Sequence, residues 1–314
     1  MHAKEDAPEA RVTVPESGEA TRFRAEPGSL YVVATPLGNL ADITLRALDI
    51  LGSVDLIAAE DTRVTAVLLR RYGIAVQLLS LHEHNEAQRA ARIVAELGNG
   101  RSIALVSDAG TPAVSDPGAR LVRSVRDAGH PVVPIPGANA AIAAISAAGL
   151  VAERFVFIGF LPAAAKARRE LLASVASLPC ALVFYEAPHR VRATVTALAE
   201  ALPGERQVVI AREVSKKFES IERLSLAGAA DWLAEHSDRT RGEFVLLVDS
   251  ASEDGASGTA TEITPETERW LAALVAELPP ARAARVVAAM TGAPRDVLYA
   301  RALALGGRGR PASD

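Results

Sequence analysis

Ser102–Val122 reads SIALVSDAGTPAVSDPGARLV, and this stretch decides the fold class. Ser102–Ser107 is a short apolar run of the kind that forms a buried strand. The twelve residues Ser107–Gly118 hold two Gly, two Pro, two Asp, two Ser and one Thr, a composition for a loop with exposed backbone groups. Asp116-Pro117 opens a helix, with Asp as N-cap and Pro at the first helical position. The stretch is one strand–loop–helix unit.

The unit repeats on both sides. Upstream, LYVVAT (Leu30–Thr35) and VDLIAAE (Val54–Glu60) are buried strands. A helical pattern starts at Asp42 and runs through Leu45, Leu48 and Leu51, and further helices are expected at 62–71 and 84–97. Downstream, PVVPI (Pro131–Ile135) is a strand and Ala138–Ala148 a helix. This alternation predicts an α/β domain with a mainly parallel sheet. The pattern then changes. Phe155–Leu161, Cys180–Glu186, Gln207–Glu213, Phe218–Leu226 and Glu243–Val248 are five strand candidates, with helices near 166–176, 189–201 and 228–236. The expected domains are 29–149 and 150–248. Residues 1–28 read as a disordered tail and 249–264 as a polar, acidic linker. Residues 265–314 form a helical appendage, with Trp270, Leu271, Leu274 and Val275 as one apolar stripe.

Composition narrows the function. Apolar residues make up 49% and charged residues 23%, which suits a folded globular chain. No run of about 18 apolar residues predicts a membrane span. No signal peptide is evident, so a cytoplasmic protein is expected. The single cysteine, Cys180, permits no intramolecular disulfide and reads as a small core residue. The net charge is −4, but acids exceed bases in 1–28 and 249–264 while 29–248 balances, so a local phosphate-binding surface is allowed. No metal is expected: His82 and His84 alternate without a third histidine nearby.

Signatures of P-loop NTPases, Rossmann dehydrogenases, α/β-hydrolases and zincins are absent. Six polar loops instead follow predicted strands, where open α/β sheets bind ligands: Thr35–Thr44, Ala59–Arg63, Ser107–Gly118, Pro134–Ala141, Phe184–Arg190 and Ala211–Glu219. Asp116 reads equally as a cap or as a functional group. Glu60 with Arg63, and Glu186 with Arg190, read either as structural ion pairs or as site residues.

The blocks VATPLGNLADITLRAL, AEDTR, LLSLHEHNE, ALVSDAGTPAVSDPGARLV, PIPGANA, IGFLP, FYEAPHRV, AREVSKKFE and RGEFVLLV occur in order between Leu30 and Val248. On them the chain resembles the ribosomal RNA small subunit methyltransferase I family, the 16S rRNA cytidine 2′-O-methyltransferases of the tetrapyrrole methylase superfamily. The resemblance continues weakly through ARAARVVAAMTGAPRDVLYARAL. It implies a two-domain α/β fold with the cofactor cleft between domains and a small C-terminal helical appendage. It also implies S-adenosyl-L-methionine as cofactor, 16S rRNA in the small ribosomal subunit as substrate, and a homodimer. Mapped residue by residue, it puts cofactor contacts at Pro36, Gly38 and Asn39 in the first loop. Ser107, Asp108, Ala109, Gly110, Thr111 and Pro112 contribute mainly through backbone; Asn139, Ala140 and Tyr185 complete the set. The first loop departs from the superfamily's G-x-G-x-G, which counts against a porphyrinoid substrate. A porphyrinoid methylase and a non-catalytic ribosome-assembly protein are the competing readings.

Methyl transfer from a sulfonium is an in-line displacement that depends on positioning. A base would assist a weakly nucleophilic ribose hydroxyl. Glu60 and Glu186 are the favoured candidates, with Lys217 next, and no single one stands out. Arg63, Arg190 and Arg212 are expected to hold phosphates. Arg282 and Arg285 in the appendage are expected to add a further RNA contact.

Overall fold

The computed structural model describes residues 23–150, 153–202, 206–250, 263, 265–291 and 293–306. The first sheet holds β1 (Leu30–Val33), β2 (Leu56–Ala59), β3 (Leu78–Ser80), β4 (Ile103–Val106) and β5 (Val132–Ile135) in the order β3-β2-β4-β1-β5. Every pairing in it is parallel. The helices between its strands are α1 (Leu45–Leu51), α2 (Thr62–Arg71), α3 (Glu86–Gly98) and α4 (Ala119–Asp127). Alternate strand residues serve opposite faces. Leu30, Leu56, Ile103 and Leu105 pack with Ile93 and Leu97 of α3 and Leu121 of α4. Tyr31, Ile57, Ala104 and Val106 pack with Ile50 and Leu51 of α1 and Leu69 of α2. Burial on both faces is why these strands read as unbroken apolar runs.

The second sheet holds β6 (Phe155–Phe160), β7 (Ala181–Glu186), β8 (Gln207–Arg212), β9 (Ser220–Ser225) and β10 (Phe244–Val248) in the order β6-β7-β10-β8-β9. Only β6–β7 is parallel; the other pairs are antiparallel. Its helices are α6 (Ala165–Val175), α7 (Val191–Ala201) and α8 (Leu226–Glu235).

Several expectations need correcting. The short edge strand β3 carries too few residues to show a period. Asp42 does not start α1; it ends a 3₁₀ turn, Leu40–Asp42, and Thr44 caps α1 by accepting from Ala47 N. Asp116 does not cap α4. Gly118 holds that position with φ of 127°, and Glu86 Oε1 accepts from the N–H groups of Gly118, Arg120 and Leu121. Helix α5 (Ala140–Ala147) lays Ala141 and Ala144 against Val183, Val209 and Val245 of the second sheet. Small side chains allow that close approach. Residues 23–28, expected in the tail, are hydrogen-bonded: Ala25 N donates to Ser53 Oγ and Gly28 N to Arg101 O. The rest of the expected tail, 1–22, and nearly all of the linker, 251–262 and 264, lie outside the described residues.

The C-terminal unit is built from α9 (Pro265–Glu277), α10 (Pro280–Thr291) and α11 (Arg295–Gly306). Leu271, Ala283, Ala284, Val287, Leu298 and Ala302 form its core. Arg301 pairs with Glu268 across it. Trp270, placed in the stripe, is half exposed, whereas Leu271 is fully buried.

Candidate active site

The parallel strands deliver their loops to one side. There the β1 and β4 loops are joined by a two-residue bridge: Thr35 N donates to Gly110 O and Gly110 N to Thr35 O, both at 2.9 Å. Thr35 Oγ1 donates to Ser107 O. Gly110 has φ of +82° and faces Leu37, so a side chain there is strained by backbone and by contact. Thr111 Oγ1 ties this loop to Ala138 O at 3.0 Å. The β2 loop joins in: Asp108 N donates to Glu60 Oε2 at 3.3 Å, and Asp61 N donates to Asp108 Oδ1 at 2.9 Å.

The second domain closes over these loops. Ser215 Oγ donates to Asp42 Oδ2. The Lys216 ammonium bridges Glu213 at 3.0 Å and Glu243 at 2.9 Å. Glu213 and Ser215 hold φ of 52° and 69°, left-handed conformations without glycine, and the segment is bent across the first loop. Tyr185 OH accepts from Ala141 N at 3.1 Å, beside the Asn139 side chain that caps α5.

A cavity of about 360 Å³ results. Of the expected residues, Glu60, Asp108, Ala109, Gly110, Thr111, Asn139, Ala140, Tyr185 and Glu186 line it. Pro36, Gly38, Asn39, Ser107 and Pro112 shape the loops without lining it. The Asn39 side chain accepts from Ala41 N and caps the 3₁₀ turn. Lys217 lies outside, against the Phe218 ring, and its neighbour Lys216 lines the cavity. Val114, Ser115, Phe160, Glu243 and Val245 are lining residues that the sequence reading did not single out, and Asp116, read equally as a cap or a functional group, lines it too. Asp116 sits in the second half of the long loop, where its cap-like sequence hid it.

The carboxylates differ sharply. Glu186 is fully engaged: Oε2 accepts from Thr194 Oγ1 at 2.6 Å, Oε1 accepts from Ala187 N at 2.8 Å, and Arg190 Nε lies 3.2 Å from Oε1. Arg190 also donates to Leu161 O. Arg212 is turned toward Ser220 and Arg241 O. Arg63 is 89% exposed and clamps Asp61, whose pKa is held down at about 2 by those hydrogen bonds. Glu60 and Asp108 are pushed up, first by burial and then by neighbouring negative charge. Asp116 is pushed up to about 6 by burial and by the charges of Glu60, Asp108 and Glu243, against a partly offsetting Ser107 hydroxyl. Among the described residues, no group of three His, Cys, Asp or Glu is placed to hold a metal ion.

Comparison with known proteins places this geometry. Residues 29–230 match the family Tetrapyrrole (Corrin/Porphyrin) Methylases, and residues 261–306 match the RsmI C-terminal HTH domain. Ribosomal RNA small subunit methyltransferase I of Pseudomonas aeruginosa is 48% identical over 276 residues, covering 88% of this chain and 97% of that one. Its counterpart from Escherichia coli O157:H7 is 46% identical, covering 88% and 95%. Among solved structures, the methyltransferase CobJ superposes with a TM-score of 0.56 at 22% identity, covering 71% of this chain and 95% of that one. Uroporphyrin-III C-methyltransferase from Thermus thermophilus, complexed with S-adenyl homocysteine, gives 0.51 at 17% identity, covering 70% and 97%. The chain belongs to the tetrapyrrole methylases and, within them, to the ribosomal RNA small subunit methyltransferase I family.

Proposed function

We propose that this chain methylates 16S rRNA of the small ribosomal subunit with S-adenosyl-L-methionine, at the ribose 2′-hydroxyl of a cytidine. The observation that carries this reading is the charge of the cavity in a chain with these relatives. Glu60, Asp108 and Asp116 line it, and none has an ion pair among the described residues. Burial first, and then neighbouring negative charge, raises the pKa of all three. A cationic ligand relieves that repulsion, and a sulfonium carrying an ammonium group is such a ligand. The apolar walls, Leu37, Val114, Phe160 and Val245, suit an adenine ring. The residues present therefore fit the cofactor. Asp108–Thr111, Asn139, Ala140 and Tyr185 would hold it. When bound it supplies an electrophilic methyl whose carbon–sulfur bond breaks toward sulfur as the ribose oxygen–carbon bond forms.

The chain's own residues position the reactants. The Thr35–Gly110 bridge fixes the loop floor, and the Ser215–Lys216 segment crosses the first loop from the other domain. Arg63 is the exposed cation at the rim best placed for a phosphate. Arg282 and Arg285 lie exposed on α10, which supports an RNA contact by the helical unit. The active form is a homodimer in the cytoplasm; the edge strand β6, with Phe155 and Phe160 exposed, supports association with a second copy. No helix among the described residues is long and apolar enough to cross a membrane. The test is incubation with labelled S-adenosyl-L-methionine and small ribosomal subunits from a strain lacking this gene. Label is expected in a 16S ribose; label only in a porphyrinoid overturns the reading.

A further inference from the structure

The cavity contains one acidic side chain that no structural task explains. Glu60 and Asp108 each accept a backbone N–H from a neighbouring loop and so hold the floor together. Glu243 is paired with Lys216, and Glu186 is consumed by Thr194, Ala187 N and Arg190. Asp116 has no ion pair and accepts no backbone N–H among the described residues; the Ser107 hydroxyl lies beside it.

The chain is also strained to put it there. Ala113 and Ser115 adopt φ of 66° and 64°, a region that costs a side-chain-bearing residue. Two glycines make room for this turn. A Cβ on Gly118 would lie 2.7 Å from Leu105 Cδ2, and one on Gly159, at the bulge of β6, would lie 2.9 Å from Ser115 Oγ. The usual reason for an Asp before a helix is absent, because Glu86 caps α4 from elsewhere. The loop thus gives up local capping and aims the carboxylate at the cavity.

We propose that Asp116 is the proton acceptor of the reaction, taking the 2′-hydroxyl proton as the ribose oxygen is methylated; this rests on the methyl-transfer reading above. The O–H electron pair stays on oxygen as it bonds to the methyl carbon, and the proton moves to an Asp116 Oδ, from which water removes it after turnover. Burial, and then the charges of Glu60 and Asp108 from the first domain and Glu243 from the second, raise its pKa to about 6, so Asp116 is ionised near neutral pH yet basic enough to accept a proton. Tyr185, Glu186 and Lys216 are the other titratable groups lining this space. Lys216, held protonated by Glu213 and Glu243, is no acceptor.

The test compares wild type, Asp116→Asn and Asp116→Glu. Single-turnover methylation of small subunits should fall at least about 100-fold in Asp116→Asn, while S-adenosylhomocysteine affinity by calorimetry stays within about threefold. Asp116→Glu should recover part of the rate. Carbon-13 NMR of the cofactor-free protein should show a carboxyl titrating near pH 6 that disappears in Asp116→Asn. A rate within threefold of wild type, or a loss fully explained by weaker S-adenosylhomocysteine binding, overturns the role of Asp116. Wild type that leaves 16S ribose unlabelled overturns the underlying reading instead.

Discussion

Gly38 and Lys216, from opposite domains, occupy one space: a Cβ built on Gly38 would lie 2.4 Å from Lys216 Cγ. The first loop is therefore bare so that the lysine stem can cross it, and the ammonium reaches Glu213 and Glu243 beyond. Gly38→Ala should push this crossing segment away at a cost of about 1–3 kcal/mol. Cofactor affinity by calorimetry should fall about tenfold or more in a folded protein. Unchanged affinity would show that closure does not depend on this contact.

Glu86 should prove a stability residue. It is 5% exposed and satisfies three N–H groups at the start of α4. Glu86→Ala strands those donors and should cost about 3 kcal/mol in urea denaturation. Glu86→Gln keeps an acceptor oxygen and should cost less. A loss below about 0.5 kcal/mol in the alanine variant would contradict this account.

Glu186 should behave in the same way and not as a base. Its carboxylate is buried with three partners. Glu186→Gln leaves the Arg190 cation without its counter-charge and should destabilise the fold by about 3 kcal/mol. The methylation rate per folded molecule should stay within a few fold. A hundredfold rate loss at unchanged stability would return Glu186 to the chemistry.

Asp116 makes stability depend on pH with a definite sign. Its folded pKa, about 6, lies above the ordinary 3.8, so the native state binds the extra proton between those values. Stability from this group is present at low pH and lost as pH rises through about 6. Asp116→Asn should therefore raise the melting temperature of the cofactor-free protein more at pH 8 than at pH 4. An equal shift at both pH values would rule out the coupling.

Arg282 and Arg285 stand three residues apart on the exposed side of α10. If each holds a phosphate, replacing it by Ala should flatten the slope of log affinity for RNA against log salt by about 0.7. Cofactor binding should not change. An unaltered slope in the double variant would remove α10 from the RNA interface.

Much of the architecture was legible along the chain. Strands β1, β2 and β4 are buried on both faces, so each announced itself as a short apolar run, and α2 begins and ends where its period does. β3 escaped because three residues at an edge carry no period. The site was legible as loops but not as side chains. The Ser107–Gly118 composition marked the place, yet Asp116 and Glu86 looked interchangeable with ordinary helix-start acids.

Local composition and period thus determined the βα alternation, the loops that meet a ligand and the family to which they belong, because those properties depend on neighbours a few residues apart. Which carboxylate stays unpaired was settled only by the tertiary structure. Glu86 caps a helix 32 residues away and releases Asp116, Arg190 neutralises Glu186, and Lys216 takes Glu243. Charge pairing and burial act through space, over partners that are far apart in the chain, and no local pattern encodes them.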